Sequence, residues 1–423
     1  MASIGSNSSI QEAEVPVTDA DIVVAIAAYN DVHTVGAVAR AVRDGLARFF
    51  GSQQARILLA DAGSTDGTLD AARSAVGETG LIELQYQRPA AMSAVLYHGH
   101  PGRAEALRAI LQTAHGLHAK ACALVDASLH SAAPGWIERL IAPVLADGFD
   151  YVSPYYVRHA HEGLITKGIV YPVFRALYGV RLRQPAAQEF GCSARLASHY
   201  LEQNFWDRDQ AAVGVDLWFA MAAATGGFRL CEAALGVRQP ASRETPADLS
   251  TTLAQIVGAL FIDLEERVDV WQRIRGSVAV PIVGAGPEIG PDAASLNLER
   301  LIDSFRLGYR ELREIWTWVL PPRTIVDLRK LSEAPLEHFQ FDDRLWAAII
   351  YDFAFGYNIR VMPPDHLLRS LTPLYAGWMA SFILQVRDAT SSQVEERVEQ
   401  VCLAFEAQKR YLISRWRWPE RLR

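Results

Sequence analysis

Several short segments carry residues that could handle a polyanion. Asp61-Ala-Gly-Ser-Thr-Asp-Gly-Thr68 follows an apolar run and opens an amphipathic stretch. Gly63 and Gly67 allow a tight turn, and Ser64, Thr65 and Asp66 can cap the helix that follows. The Asp61 carboxylate can accept hydrogen bonds from a base NH or from ribose hydroxyls; the same residues also suit an ordinary strand-to-helix turn. Gly99-His-Pro-Gly-Arg103 precedes a second amphipathic stretch, Ala104–His115. A glycine turn, NH groups at a helix start and a guanidinium suit a diphosphate, although no Walker-type loop is present and an arginine so placed is commonly solvated. Val125-Asp126-Ala127-Ser128 ends the most apolar strand of this half of the chain. An Asp-x-Asp there would hold Mg2+ or Mn2+, because hard cations take carboxylate oxygens. Ser128 offers only a hydroxyl, so the metal site expected at Asp126 is incomplete.

These segments need elements to position them. From Asp21, short β-type runs alternate with amphipathic stretches: Ile22–Ile26 then Thr34–Phe50, Arg56–Ala60 then Gly67–Val76, Leu81–Gln87 then Arg103–His115, and Ala121–Val125 then Pro134–Ala146. Such alternation is the mark of a largely parallel sheet flanked by helices, and in open sheets of this kind ligands gather at the carboxyl ends of strands. Asp61 and Asp126 both follow strands. Beyond Leu249 helical spacing takes over, as in Leu298, Leu301, Ile302, Phe305, Tyr309, Leu312, Trp316 and Val319 before Pro321-Pro322. Leu345 to Phe353 repeat the pattern, Asp365 can cap a helix running on to Trp378, and Ser392-x-x-Glu395 has capping-box spacing before the last helix. Val278–Pro291 reads as a loop. The expected division is a flexible tail at 1–20, an α/β domain at 21–248 and a helical domain at 249–423.

Composition narrows the function classes. The chain has 423 residues and a net charge of −7, with 50% hydrophobic and 21% charged residues, which excludes wholesale disorder. No apolar run approaches the ~18 residues of a spanning helix; Leu217–Thr225 is the best and is too short. The mild acidity argues against coating nucleic acid. Cys122, Cys192, Cys231 and Cys402 are scattered without a CxxC pair, and no secretory leader is evident, so a reducing, cytoplasmic location is expected.

Residues 21–240 resemble a GT-A-type glycosyltransferase that uses a nucleoside diphosphate sugar. Ala27-Ala-Tyr-Asn30, Asp61-x-Gly-Ser-x-Asp66-Gly-Thr68, Gly102-Arg103-Ala-Glu105-Ala-Leu107 and Val125-Asp126-x-Ser128-Leu129 occur in that family's order. Within the fold, the chain resembles the retaining glucosylglycerate, mannosylglycerate and glucosyl-3-phosphoglycerate synthases. That narrower likeness rests on Gly163-Leu-Ile-Thr166 with Tyr171-Pro172, Arg183-Gln184-Pro185 followed by Glu189-Phe190, Gly214-Val-Asp216 and Leu235-Gly-Val-Arg238.

The resemblance implies an α/β, GT-A (Rossmann-like) fold with a mostly parallel sheet and a C-terminal helical domain. It implies that Asp61 holds the base or ribose of the donor, beside Ala28 and Tyr29. Arg103 would balance diphosphate charge, and Asp126 would face the ribose or the donor sugar. Thr166, Arg183 and Gln184 would receive a glycerate-like acceptor. Glu189 would meet the sugar, and Asp216 would sit near the acceptor hydroxyl and the anomeric carbon. The chain departs from the family at Ser128, at Gln239 or Pro240 near the third metal ligand, and at Gln188 where a glycine is usual. The implied activity is retaining transfer of glucose or mannose to glycerate; the alternative is a non-catalytic protein that binds a nucleotide sugar or a partner. A homodimer is left open. Asp216 equally suits a helix N-cap, and Glu189 an ion pair with Arg183 or Arg195. His98/His100 and His159/His161 have spacing that a metal could use, and Arg415-Trp-Arg-Trp-Pro419 is expected to pack on the sheet domain.

Overall fold

The computed structural model describes residues 19–77, 80–86, 100–206, 211–239, 249–285 and 297–417. The expected tail (apart from Asp19 and Ala20), His98, Gly99, Pro240, the end of the 278–291 loop and Pro419 lie outside them. The chain divides into two compact units that interleave in sequence. The first takes in the described residues through Pro154, then Ala187–Val215 and Phe228 onward to 239. The second takes in Tyr155–Ala186, Asp216–Gly227 and the described residues from 249. The sequence puts the division at 248/249; the chain instead groups two segments of the α/β half with the helices.

In the first unit, β1 (Ile22–Ala28), α1 (Val35–Phe49), β2 (Ala55–Asp61), α2 (Thr68–Val76) and β3 (Leu81–Gln85) alternate as the apolar runs require. They are followed by α3 (Arg103–Gly116), β4 (Ala121–Asp126), α4 (Pro134–Asp147), the part of β5 (Tyr151–Val157) through Pro154 and, past a segment of the second unit, β7 (Phe190–Ser193), α6 (Ala194–Glu202) and β8 (Leu230–Val237). The strand order is β8-β5-β7-β4-β1-β2-β3. β1 pairs in parallel with β2 and β4, and β2 in parallel with β3. All of β1 and β4 is buried, which is why both are continuous apolar runs without alternation. β7 enters antiparallel between β4 and β5. It can do so because Gly191 has no side chain: a Cβ there would stand 2.1 Å from the Leu140 carbonyl oxygen of α4. That close approach sets the position of the residue two before it, Glu189.

The second unit contains a π-helical turn (Thr166–Val170) running into α5 (Tyr171–Tyr178), the two-residue strands β6 (Val180–Arg181), β9 (Val278–Ala279) and β10 (Ile282–Val283), and the helices from α8 (Leu249–Glu266) to α15 (Ser391–Arg417). β6 and β9 pair in parallel, so part of the expected 278–291 loop is strand. The expected helix from Asp365 to Trp378 is two helices, α13 (Pro364–Ser370) and α14 (Thr372–Val386), and Asp365 lies inside the first turn of α13. The reciprocal cap before α15 is made two residues earlier than expected: Thr390 N donates to Gln393 Oε1, and Gln393 N to Thr390 Oγ1. Trp346, Tyr375 and Trp378 stack at the centre of the helical core. Trp416 packs on Trp271 and Phe355, and Arg415 pairs with Asp352, so the end of α15 docks on helices of its own unit.

Buried Lys409 of α15 donates to the carbonyl oxygens of Ala176 and Ile274 at 2.8 and 3.0 Å. Burial, with help from the charge of Arg275, pulls its pKa down to about 8. Between that value and the ordinary 10.5, the unfolded chain binds the proton more tightly, so stability rises with pH across this window. Urea unfolding at pH 8 and pH 10 is expected to show a gain of about 1–3 kcal/mol that Lys409→Met lacks. An equal gain in the variant would remove Lys409 as the cause.

Candidate functional site

The parallel register aligns the ends of three strands in the first unit. Ala28 stands opposite Asp61, and Ala27 opposite Asp126, so both carboxylates, each the last residue of its strand, flank the exit of β1. Ala28, Tyr29, Asp61 and Asp126 are thus brought together by pairing alone.

The loops after β1 and β2 are locked to each other. Asn30, with φ of 52°, donates its backbone NH to Ser64 Oγ, and its side-chain oxygen accepts from Thr65 N. Asp31 N donates to buried Thr68 Oγ1, and Val32 N to Asp66 Oδ2. Asp61 accepts from Ser64 N at 3.0 Å and from the Ser64 hydroxyl. Ser64 therefore serves Asp61 instead of capping α2, and Asp66 receives Thr68 N at the start of that helix. Burial pushes the Asp66 carboxyl up, but the hydrogen bonds from Thr68 and Val32 outweigh it and hold the group below its ordinary value.

Arg103 opens α3 behind Gly102, whose φ of 64° makes the turn. Its side chain is wholly buried, against the expectation of a solvated arginine. Nη1 lies 3.7 Å from Asp126 Oδ2, and Nη2 donates to the Gln188 carbonyl oxygen at 2.9 Å. Asp126 Oδ1 accepts from Ser128 N at 2.8 Å and from the Ser128 hydroxyl. Burial pushes the Asp126 carboxyl up; the Arg103 and Arg238 charges and the Ser128 hydrogen bonds outweigh it and keep the group ionised.

Two residues without an assigned role in the sequence complete this cluster. Arg238, just past β8, donates through Nη2 to Gln188 Oε1 at 2.7 Å and to Glu189 Oε1 at 3.2 Å. Gln188, the departure from glycine, thus joins both arginines, one through its backbone and one through its side chain. The segment carrying Arg238 is pinned by Gln239, whose NH donates to Ser131 Oγ and whose carbonyl accepts His130 N. Glu189 pairs with Arg238, while Arg195 pairs with Asp150 and Arg183 with Glu395. The sequence signal was the Leu235-Gly-Val-Arg238 block itself, but a partner 49 residues away has no local signature.

The donor set does not fit a firmly held divalent cation. Such a site needs several oxygen ligands. Asp126 is the one carboxylate of the expected motif, and its oxygens are shared between Ser128 and Arg103. Among the described residues, no group of three or more His, Cys, Asp or Glu side chains is arranged to hold a metal. The His100 ring is stacked on Tyr86.

The remaining candidates belong to the second unit. Asp216 is buried in the interior of α7 (Ala211–Thr225), so it is no N-cap. A cavity of about 890 Å³ is lined by Arg158, His159, His161, Lys167, Arg183 and Gln184, with Tyr155 and Tyr171 among its walls. Arg183 stacks on Tyr155 at 4.9 Å, and Lys167 Nζ donates to the carbonyls of His159 and Ala160. Two of the three acceptor candidates, Arg183 and Gln184, therefore share a cavity whose charged lining also includes Arg387, Asp388 and Glu395. Thr166 neighbours Lys167 in the chain and is absent from the lining.

No family model matches the chain, and a search of curated proteins finds no match. Solved structures similar to it include mannosyl-3-phosphoglycerate synthase from Rubrobacter xylanophilus, 20% identical over 61% of this chain and 78% of that one, with a TM-score of 0.43. Glucosyl-3-phosphoglycerate synthase from Mycobacterium tuberculosis, in complex with phosphoglyceric acid, is 19% identical over 64% and 84%, with a TM-score of 0.39. A mannosyltransferase from Pyrobaculum calidifontis, in complex with GDP-Man and Mn2+, is 15% identical over 90% and 92%, with a TM-score of 0.43.

Proposed function

We propose that the chain is a GT-A-type retaining glycosyltransferase that moves glucose or mannose from a nucleoside diphosphate sugar to D-glycerate or a close relative. The observation that carries the reading is the register of β1, β2 and β4, which sets Asp61 and Asp126 on either side of the β1 exit at one sheet edge, with buried Arg103 against Asp126. Asp61, beside Ala28 and Tyr29, binds the base or ribose. Arg103 and Asp126 form the floor under the diphosphate and sugar. Glu189 receives sugar hydroxyls, Asp216 serves near the acceptor hydroxyl, and Thr166, Arg183 and Gln184 hold the acceptor's carboxylate and hydroxyls. No protein nucleophile is assigned, so the acceptor attacks from the face the diphosphate leaves, and the leaving oxygen takes its proton. Catalysis then rests on positioning and on preorganised charge. Calorimetry with UDP-, GDP- and ADP-sugars, followed by a product assay with glycerate and phosphoglycerate, tests this. Absence of donor binding would overturn it.

A second reading, a nucleotide-sugar-binding protein without turnover, is supported by the closure of Ser128 onto Asp126. A cation titration under donor saturation separates the two. Wild type is expected to need millimolar Mg2+ or Mn2+, and Ser128→Asp to respond at a concentration about tenfold lower, the equivalent of one added charged ligand worth about 1.4 kcal/mol. Micromolar activation of the wild type would contradict the description of the cation site. Donor binding without product from either protein would favour the second reading.

A further inference from the structure

The cavity of the second unit is larger than a three-carbon acid needs. Clefts of roughly 300–1,000 Å³ enclose ligands of drug size, and this one measures about 890 Å³. Two stretches of the second unit line it, 155–184 and 386–398. The first brings Arg158, Lys167 and Arg183, with the Arg183 guanidinium 4.9 Å from the centre of the Tyr155 ring. The second, the turn from α14 into α15, brings Arg387 and the carboxylates of Asp388 and Glu395, and Glu395 lies 3.5 Å from Arg183. Arginine and lysine thus outnumber carboxylates in the lining, whatever each is bonded to, and the charge suits an acid. Charge does not account for the rest of the wall. Thr390, Ser391 and Ser392 follow one another along the turn, Ser391 and Ser392 exposed, and Val394 and Val398 stand one turn apart on α15. Successive hydroxyls beside aliphatic and aromatic surface match a sugar, whose hydroxyls both donate and accept and whose C–H faces are apolar.

We infer that the acceptor is a hydroxy acid that already carries a sugar, its carboxylate held at the Arg183 end of the cavity and its sugar received along the α14–α15 turn. The inference rests on the glycosyltransferase reading and deepens it by naming the acceptor class. The balance of the reaction is the same as for glycerate. The bond from the anomeric carbon to the diphosphate breaks, a bond from that carbon to an acceptor hydroxyl forms, and the hydroxyl proton leaves on the diphosphate. The protein then lengthens a glycoside, and a separate transferase must supply the first sugar. Glycerate alone fills the acid end and leaves the turn to water, so it gains nothing from the hydroxyls and valines there.

The test is kinetic, with the donor selected by calorimetry held saturating and products read by mass spectrometry. Glycerate, phosphoglycerate, glucosylglycerate and mannosylglycerate are compared as acceptors for wild type and Ser392→Trp, which sets a large ring in the wall at an exposed position. Wild type should convert one of the glycosylated acids, to a product one hexose heavier, with a kcat/KM at least about tenfold above that for glycerate. Ser392→Trp should lose most of that preference, chiefly through KM. Ser391→Trp serves the same purpose if the first variant fails to fold, with thermal unfolding as the check. A wild type that prefers glycerate overturns the inference and leaves the proposed function standing. So does a preference for phosphoglycerate, which would assign the surplus cations to a phosphate. A preference for the glycosylated acid that both tryptophan variants keep in full would move the site away from this cavity and overturn the inference as well. Absence of donor binding, or of product from any of these acids, overturns both.

Discussion

Arg103→Ala is expected to cost about 3–5 kcal/mol of stability, because it strands the Asp126 carboxylate in the interior of the first unit. Both side chains are almost wholly inaccessible, and Arg103 also satisfies the Gln188 carbonyl oxygen at 2.9 Å. Judged from sequence, the same change would only weaken diphosphate binding. Its burial makes the folding effect the larger one, so an activity assay on this variant reports stability first. The measurement is guanidinium unfolding of wild type, Arg103→Ala, Asp126→Asn and the double variant. In the Asp126→Asn background, the loss of Arg103 should cost at least about 1 kcal/mol less, the coupling expected of residues in one ion pair. Additive effects would show that the pair at 3.7 Å is incidental to folding.

Arg175→Ala should destabilise the second unit by about 3 kcal/mol. Arg175 of α5 is fully buried and reaches two carboxylates of α15 through all three of its nitrogens: Nη1 and Nη2 donate to Glu399, and Nε to Glu406 at 2.8 Å. Without it, two acidic groups about two turns apart on one face of α15 lose the cation they share. Glu399 and Glu406 keep some access to water, which limits the loss below that of a sealed pair. The pH dependence follows from Glu399. The hydrogen bond from Arg175 lowers its pKa against the opposing effect of burial. A carboxylate with a lowered folded pKa contributes stability above its unfolded value, and loses it as pH falls through the folded one. The difference between wild type and Arg175→Ala should therefore be full at pH 7 and shrink below about pH 4, near the ordinary glutamate value. A constant difference from pH 7 to pH 3 would mean that packing, not charge, is what the arginine supplies.

Much of the first unit is legible in the order of its residues. β1 spells Ile-Val-Val-Ala-Ile-Ala-Ala, and a buried parallel strand needs a continuous apolar run, so its type follows from the sequence, although the strand read there as Ile22–Ile26 runs on to Ala28. Asp61 and Asp126 can be assigned to strand ends because the change from apolar run to turn residues is local. The start of α3 is legible for the same reason: Gly102 allows the left-handed turn that places Arg103 first in the helix. Local spacing fails where two readings fit it. Thr390 with Gln393 and Ser392 with Glu395 both match a capping box, and the structure makes the first. What no local signal can determine is which distant charges meet. Glu189 has Arg183 and Arg195 close by in sequence, yet pairs with Arg238, because β7 enters antiparallel between β4 and β5, and Gly191 lets it lie against the Leu140 carbonyl. Arg103 is buried for a related reason: the segment before β7 brings the Gln188 carbonyl, 85 residues away, onto its guanidinium. Strand identity is set by runs of neighbours in sequence, and the sequence suffices for it. Ion-pair partnership inside a sheet protein is set by strand order, and only the tertiary structure decides that.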